Sequence, residues 1–147
     1  MSIGNETRRI GMRPERMMSR RLGAAVAEFA FVAPVFFLMV IGFVEFGRAL
    51  MVQQVIVNAS RVGAREATMP GATTSEVTTA VQDYASSVSV RLVTVSVSPD
   101  PFAAAAGSQI TVTTSVDFNQ VTWLAPPWFL GGRTLTAAST MRKEGFE

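Results

Sequence analysis

The sequence offers few side chains for chemistry. It contains neither histidine nor cysteine, so the common metal sites, disulfides and the Ser–His–Asp or Cys–His catalytic arrangements cannot be built. Asp100 and Asp117 suggest no pair of catalytic carboxylates, and the two glycines at 131–132 are too few for a phosphate-binding loop. We therefore expect no catalytic residue, no metal and no cofactor, and predict that the protein is not an enzyme.

Glu28 is the one acidic residue in a chemically unusual position. It is the single charge within the apolar segment 24–44, and an intramembrane carboxylate is costly unless it is paired. Two interpretations stay open. Either Glu28 has a functional partner, or it lies in the headgroup layer, shortly after Ala24, and is solvated.

The apolar segment 24–44 predicts a transmembrane helix. Its roughly 21 residues would rise about 31 Å as a helix, which matches a hydrocarbon core of about 30 Å. The apolar side chains occur all round the helix rather than on one face, which argues against the alternative, a buried core helix of a soluble protein. Pro34 lies inside the span and predicts a kink.

The flanks of this segment orient the chain. Residues 1–23 hold six of the thirteen basic residues and two of the eleven acidic ones, and the positive-inside rule places such a flank in the cytoplasm. We predict a basic cytoplasmic leader at 1–23, a transmembrane helix with its extracytoplasmic continuation at 24–68, and a small extracytoplasmic domain at 72–147. No basic stripe follows the leader, so no nucleic-acid partner is expected.

Beyond the membrane the helix is predicted to continue through residues 45–67. No proline interrupts this stretch before the Met-Pro-Gly run at 69–71, which should end the helix. Glu45 and Arg48 are three positions apart, so they can pair on one helix face.

The rest of the chain predicts a small α+β domain. Residues 75–88 have apolar positions at helical spacing, with Ser75 as the N-cap. Three strands are predicted after it, at 90–97, 109–118 and 133–142. The apolar residues of 90–97 point to opposite faces, which predicts a bulge or a strand buried on both sides.

Trp123 and Trp128 stand in an unusual apolar loop between the last two predicted strands. One interpretation is a partner contact or a membrane-interface patch, because tryptophans favour such surfaces. The other, which we favour from the sequence, is that both side chains fold back over the sheet as part of a small core.

The start of the apolar segment resembles the processing site of type IV prepilins. A basic leader, Gly23, and a glutamate at the fifth position counted from Ala24 agree in register. Cleavage between Gly23 and Ala24 would remove the leader and keep the apolar helix, unlike the cleavage of a secretory signal peptide. The resemblance implies that prepilin peptidase is a partner, and that Glu28 pairs with the free α-amine of a neighbouring subunit.

Four groups of residues along the helix carry a wider resemblance. They are Glu28-Phe29-Ala30 at its start, Pro34, then Glu45, Phe46, Gly47 and Arg48, and finally the run Asn58, Ala59, Ser60, Arg61, Val62, Gly63, Ala64 and Arg65. This block resembles the TadE-like family, the minor pseudopilins of the tight-adherence (Flp-type IVb) pilus system. The chain continues far past the end of a short major pilin, which fits a minor subunit.

This resemblance implies a pilin-like α+β fold and a structural role. The expected protein lies in the bacterial inner membrane and assembles through its N-terminal helix. Its expected partners are the lipid bilayer, other pilins or pseudopilins and the pilus assembly platform. The alternative is an uncleaved single-pass membrane anchor whose outer domain binds a partner in a secretion or adhesion complex.

Overall fold

The fold is α+β, as predicted from the sequence. The computed structural model describes residues 15–124 and 128–145. Its elements are helix α1 (Glu15–Ala67), helix α2 (Thr74–Ser87), strand β1 (Thr94–Ser98), strand β2 (Gln109–Asp117), a 3-10 turn (Phe118–Gln120) and strand β3 (Thr134–Arg142). The chain divides into two compact units between Val40 and Ile41.

Helix α1 begins earlier than the predicted start at Ala24. Its first residue is Glu15, so the end of the predicted leader is helical, whereas residues 1–14 lie outside the described part of the chain. The helix continues through Pro34. It ends at Ala67, directly before the predicted stop, because proline cannot supply the backbone N–H that another turn needs.

The first unit presents an exposed apolar surface. Between residues 23 and 40 every side chain is exposed except that of Ala33, which is half-buried. Within the described residues, α1 alone is long and apolar enough to cross a membrane, and none of its most apolar 18-residue stretch is buried. A core helix of a soluble protein would be buried, so this finding favours the predicted membrane anchor over that alternative.

The second unit forms its core between the later part of α1, helix α2 and one face of the sheet. The strands are antiparallel in the order β1-β2-β3, and alternate residues of the central strand β2 are buried. This alternation was predicted from the sequence. The buried residues of β2 are Ile110, Val112, Thr114 and Val116, and they join Val52, Ile56 and Ala59 of α1 and Val77, Val81 and Ala85 of α2.

Helix α2 begins with a capping box. The N-cap is Thr73 rather than the predicted Ser75. The Thr73 hydroxyl accepts a hydrogen bond from the Glu76 backbone N–H at 3.3 Å, and the Glu76 carboxylate accepts one from the Thr73 N–H at 2.9 Å. The prediction was wrong by two residues because only Thr73 has a glutamate three positions later that completes the box.

The end of α2 has the hydrogen bonds of a Schellman motif. The Val90 N–H donates to the Ala85 carbonyl at 2.9 Å, and the Ser89 N–H donates to the Ser86 carbonyl at 3.0 Å. Ser89 has a φ of 63°. This left-handed conformation reverses the chain and is the one that glycine usually supplies.

Strand β1 starts at Thr94 and not at residue 90, as the sequence pattern predicted. Leu92 is a second residue with positive φ, at 61°, and such a residue cannot continue an extended strand. Val90 and Val93 are both buried in the core. Their apolar side chains therefore attach the turn before the strand to the core, and do not form part of the strand. The predicted bulge or two-sided strand at 90–97 is therefore wrong.

Candidate functional site

Glu45 of α1 is a buried carboxylate that binds the loop after the 3-10 turn. Its side chain is 1% exposed. One carboxylate oxygen accepts the Phe129 backbone N–H at 3.0 Å, and the other accepts the Leu130 N–H at 3.1 Å. These two donors replace water around the charge, which makes burial of the group tolerable.

Arg48, nearly one helical turn later, binds the other side of the same loop. Its Nε donates a hydrogen bond to the Val121 carbonyl at 2.8 Å. The guanidinium carbon lies 4.7 Å from the centroid of the Trp123 ring, within the range of a cation–π interaction. Glu45 and Arg48 lie on one helix face, as predicted, but each binds the loop and not the other residue, although their spacing would allow a pair.

Both tryptophans and Phe129 are exposed. The exposed fractions are 68% for Trp123, 62% for Trp128 and 57% for Phe129. The interpretation favoured from the sequence, in which both tryptophans cover the sheet as part of a core, is therefore wrong. The loop is held by its backbone and by the Trp123–Arg48 contact, and these bonds leave the aromatic side chains on the surface.

Gly42 provides room for this loop on the helix. A Cβ atom placed on Gly42 would lie 3.4 Å from a ring carbon of Phe129, so the ring packs directly over the glycine. Sequence reasoning did not identify this contact. Gly42 lies three residues before Glu45, and therefore on the same face of the helix.

Phe46 and Gly47 lie between the two charged residues but do not face the loop. Phe46 is 57% exposed, and Gly47 is exposed with open space around it. The motif at 45–48 thus divides by helix geometry into two residues that hold the loop and two that face outward.

The second motif on α1, at 58–65, contains a close approach of the helix to the rest of the core. A Cβ atom placed on Gly63 would lie 2.5 Å from Val81 Cγ2 and 3.0 Å from Val112 Cγ1. A glycine is therefore required here so that α2 and β2 can pack against the helix. Ala64 is also buried, while Arg61 and Arg65 are exposed and Asn58 is half-buried with an Arg61 contact at 3.4 Å.

Three further polar contacts join α1 to the sheet and were not found from the sequence. Thr114 is fully buried, and its hydroxyl donates to the Ile56 carbonyl at 3.0 Å. The hydroxyls of Ser60 and Ser139 lie 2.8 Å apart, and the Gln53 amide donates to the Thr136 carbonyl at 3.1 Å. The only sequence signal was a threonine at an inward position of the alternating strand.

The residues predicted for processing and assembly, and the motif residue Pro34, lie on the exposed part of α1. Gly23, Ala24, Glu28 and Pro34 are all exposed. Space around Gly23 is open. They belong to the first unit and are separate in sequence from the residues that bind the loop.

Comparison with protein families supports the resemblance noted in the sequence. A family model described as TadE-like protein matches residues 23–65. This match confirms the resemblance to the TadE-like family, over a segment of less than a third of the 147 residues. No curated protein and no solved structure matches the chain. The match suggests a protein associated with the Tad pilus, and the apolar helix fits a membrane anchor.

Proposed function

We propose that the protein is a minor pseudopilin, or pilus assembly protein, of a Flp-type tight-adherence pilus. It is a structural protein without enzymatic activity. Its N-terminus lies in the cytoplasm, α1 crosses the bacterial inner membrane, and the α+β domain lies outside. It assembles through α1 with other pilins or pseudopilins and with the assembly platform, after prepilin peptidase has removed the leader.

One observation carries this proposal. The TadE-like match runs from Gly23 to Arg65 and so begins at the proposed cleavage glycine. The matched segment contains the exposed apolar helix with Glu28, and also the loop-binding and close-packing residues of the later helix. A pseudopilin needs both properties, because one helix must enter an apolar assembly while it also supports a folded domain.

The mature N-terminus tests this function directly. The full chain is expressed together with the prepilin peptidase of its own system, and the purified protein is measured by intact-mass and peptide mass spectrometry. We expect a chain that begins at Ala24. The variant Gly23→Val provides the matched control and should keep the leader.

The same experiment separates the proposal from its alternative. A chain that keeps Met1 while the peptidase cleaves a known substrate in the same cells would contradict the pseudopilin proposal. That outcome would favour an uncleaved single-pass anchor whose outer domain binds a partner in a secretion or adhesion complex.

The variant Glu28→Gln tests assembly. We expect it to insert into the membrane normally but to lose co-purification with partner pseudopilins, because an amide cannot pair as a charge with the α-amine created by cleavage. The variant Glu28→Asp keeps the charge and should retain most of the co-purification. Undiminished assembly of Glu28→Gln would contradict this role.

A further inference from the structure

We propose that Trp123, Trp128 and Phe129 form an interfacial anchor that inserts into the outer surface of the lipid bilayer in which α1 is embedded. We call these three side chains the aromatic patch. The proposal goes beyond pilus assembly. It requires only that α1 crosses a membrane, and it would hold equally for a permanent anchor.

The position of the aromatic patch follows from its contacts with α1. Phe129 packs over Gly42, Glu45 binds the backbone at Phe129, and Arg48 contacts the Trp123 ring. The predicted membrane span ends at residue 44. The loop is therefore attached to the turns of the helix where the apolar span meets the headgroup layer.

The side chains around the aromatic patch also suit lipid. Residues 121–132 contain no charged side chain. The carboxylate of Glu45 is buried under the loop, where two backbone N–H groups stabilise it. On the same turns of the helix, Phe43 and Phe46 are 67% and 57% exposed. The second unit therefore exposes aromatic rings both on the helix and on the loop, and the loop itself has no ionised group.

Tryptophans next to the end of the apolar span favour lipid as the occupant. A tryptophan ring combines a large apolar surface with one N–H donor, so it is most stable where hydrocarbon meets the headgroups. Arg48 is suited to the same depth, because its guanidinium is held by the Val121 carbonyl and the Trp123 ring, and an arginine can bury its long apolar stem while its charged end stays at the headgroups. The anchor would fix the depth and tilt of the outer domain relative to the membrane surface.

The chain contains two tryptophans, so their fluorescence reports on the aromatic patch alone. The full chain is reconstituted at low protein density in phosphatidylcholine vesicles, and single-tryptophan variants Trp123→Phe and Trp128→Phe are prepared. Emission is measured with bromine on the lipid chains near the headgroup, with bromine near the chain ends, and with iodide in the surrounding water.

We expect each remaining tryptophan to lose most of its emission to bromine near the headgroup, and much less to bromine near the chain ends or to iodide. In the variant Glu45→Gln the loop loses one of its two acceptors, so lipid quenching should fall and iodide quenching should rise. The matched control Glu66→Gln lies at the far end of the same helix and should behave as the unmodified protein.

Three outcomes would overturn the proposal. Strong iodide quenching with little lipid quenching would place the aromatic patch in water. Protection from both quenchers that increases with protein density would show that a second copy of the chain covers the aromatic patch. Failure of the chain to float with the vesicles would remove the membrane anchor altogether, and the proposed pseudopilin function with it.

Discussion

A buried charge is stable only when hydrogen-bonding groups replace the water that it has lost. Glu45 meets this requirement with two backbone N–H groups, which lie 84 and 85 residues further along the chain. Arg48 meets it with a carbonyl and an aromatic ring. The spacing of the two residues predicted a common helix face, but a local pair was the only partner that the sequence could suggest.

We predict that the variant Glu45→Gln loosens this loop. A glutamine side chain has one acceptor oxygen, so either the Phe129 or the Leu130 N–H would face an amide donor. Loss of a hydrogen bond to a charged group costs about 1.5–3 kcal/mol, and backbone N–H exchange in the loop should accelerate roughly tenfold or more. Hydrogen–deuterium exchange of the full chain in detergent micelles measures this effect.

The variant Glu66→Gln is the control for this experiment, since it makes the same chemical change at the far end of α1. Exchange in residues 128–132 should remain unchanged in that variant. Equal exchange in Glu45→Gln and the unmodified protein would contradict the role assigned to Glu45.

The two ends of α2 illustrate how local sequence sets the limits of an element. At the start, hydrogen bonds from the backbone N–H of Thr73 and then from its hydroxyl hold the pKa of Glu76 below its ordinary value. A lowered pKa in the folded state stabilises the fold above the pKa of the unfolded chain. That contribution to stability is lost as the pH falls through the lowered pKa that Glu76 has in the folded protein.

We therefore predict a pH dependence that belongs to the capping box. As the pH falls from neutral through the ordinary pKa of a glutamate and then through the lowered pKa of folded Glu76, the unmodified protein should lose stability that the variant Glu76→Gln does not lose. Urea unfolding of both proteins in detergent micelles, followed by circular dichroism at several pH values, measures the difference. Identical pH profiles would exclude a contribution of Glu76 to stability.

At the other end of α2, Ser89 has a conformation that suits glycine. We predict that Ser89→Gly raises the free energy of unfolding by about 0.5–1 kcal/mol, because glycine has no Cβ to oppose a positive φ. The control Ser87→Gly makes the same substitution at the last residue of the helix and should lower stability by up to about 0.5 kcal/mol. Urea unfolding tests both, and a loss of stability in Ser89→Gly would argue against the Schellman motif.

Across the whole molecule, one helix meets two requirements. From Gly23 to Val40, α1 exposes apolar side chains all round, whereas from Glu45 onward one face of it is buried in the core of the second unit. Two glycines of the part of this helix that supports the domain have contrasting neighbours, because Gly47 has open space and Gly63 has Val81 and Val112 against it. The same substitution should therefore have opposite effects at the two positions.

We predict that Gly63→Ala lowers the free energy of unfolding by about 1–3 kcal/mol, because the new methyl group would overlap Val81 and crowd Val112. The variant Gly47→Ala should raise the free energy of unfolding by up to about 1 kcal/mol, since alanine favours a helix more than glycine does. The double variant Gly63→Ala/Val81→Ala should recover part of the loss through a favourable interaction between the two changes. A stabilising effect of Gly63→Ala would contradict the close packing.

Patterns repeated along the chain were sufficient to predict much of the fold. The apolar run at 24–44, the alternation in β2 and the Met-Pro-Gly stop of α1 each depend on neighbours within a few residues, so the sequence determines them. The start of β1 was missed because Ser89 and Leu92 adopt left-handed conformations that side-chain type does not forbid. The start of α2 was missed for a different local reason, because the capping box with Glu76 begins at Thr73 and not at Ser75.

By itself, the sequence determined a long apolar helix, an α+β domain after it and the TadE-like character of residues 23–65. Only the tertiary structure decided that Glu45 and Arg48 bind the loop, that Gly63 meets Val81, and that Trp123 and Trp128 are exposed. These contacts join residues far apart in the chain. Their energies depend on which surfaces meet after folding, and no local periodicity encodes that choice.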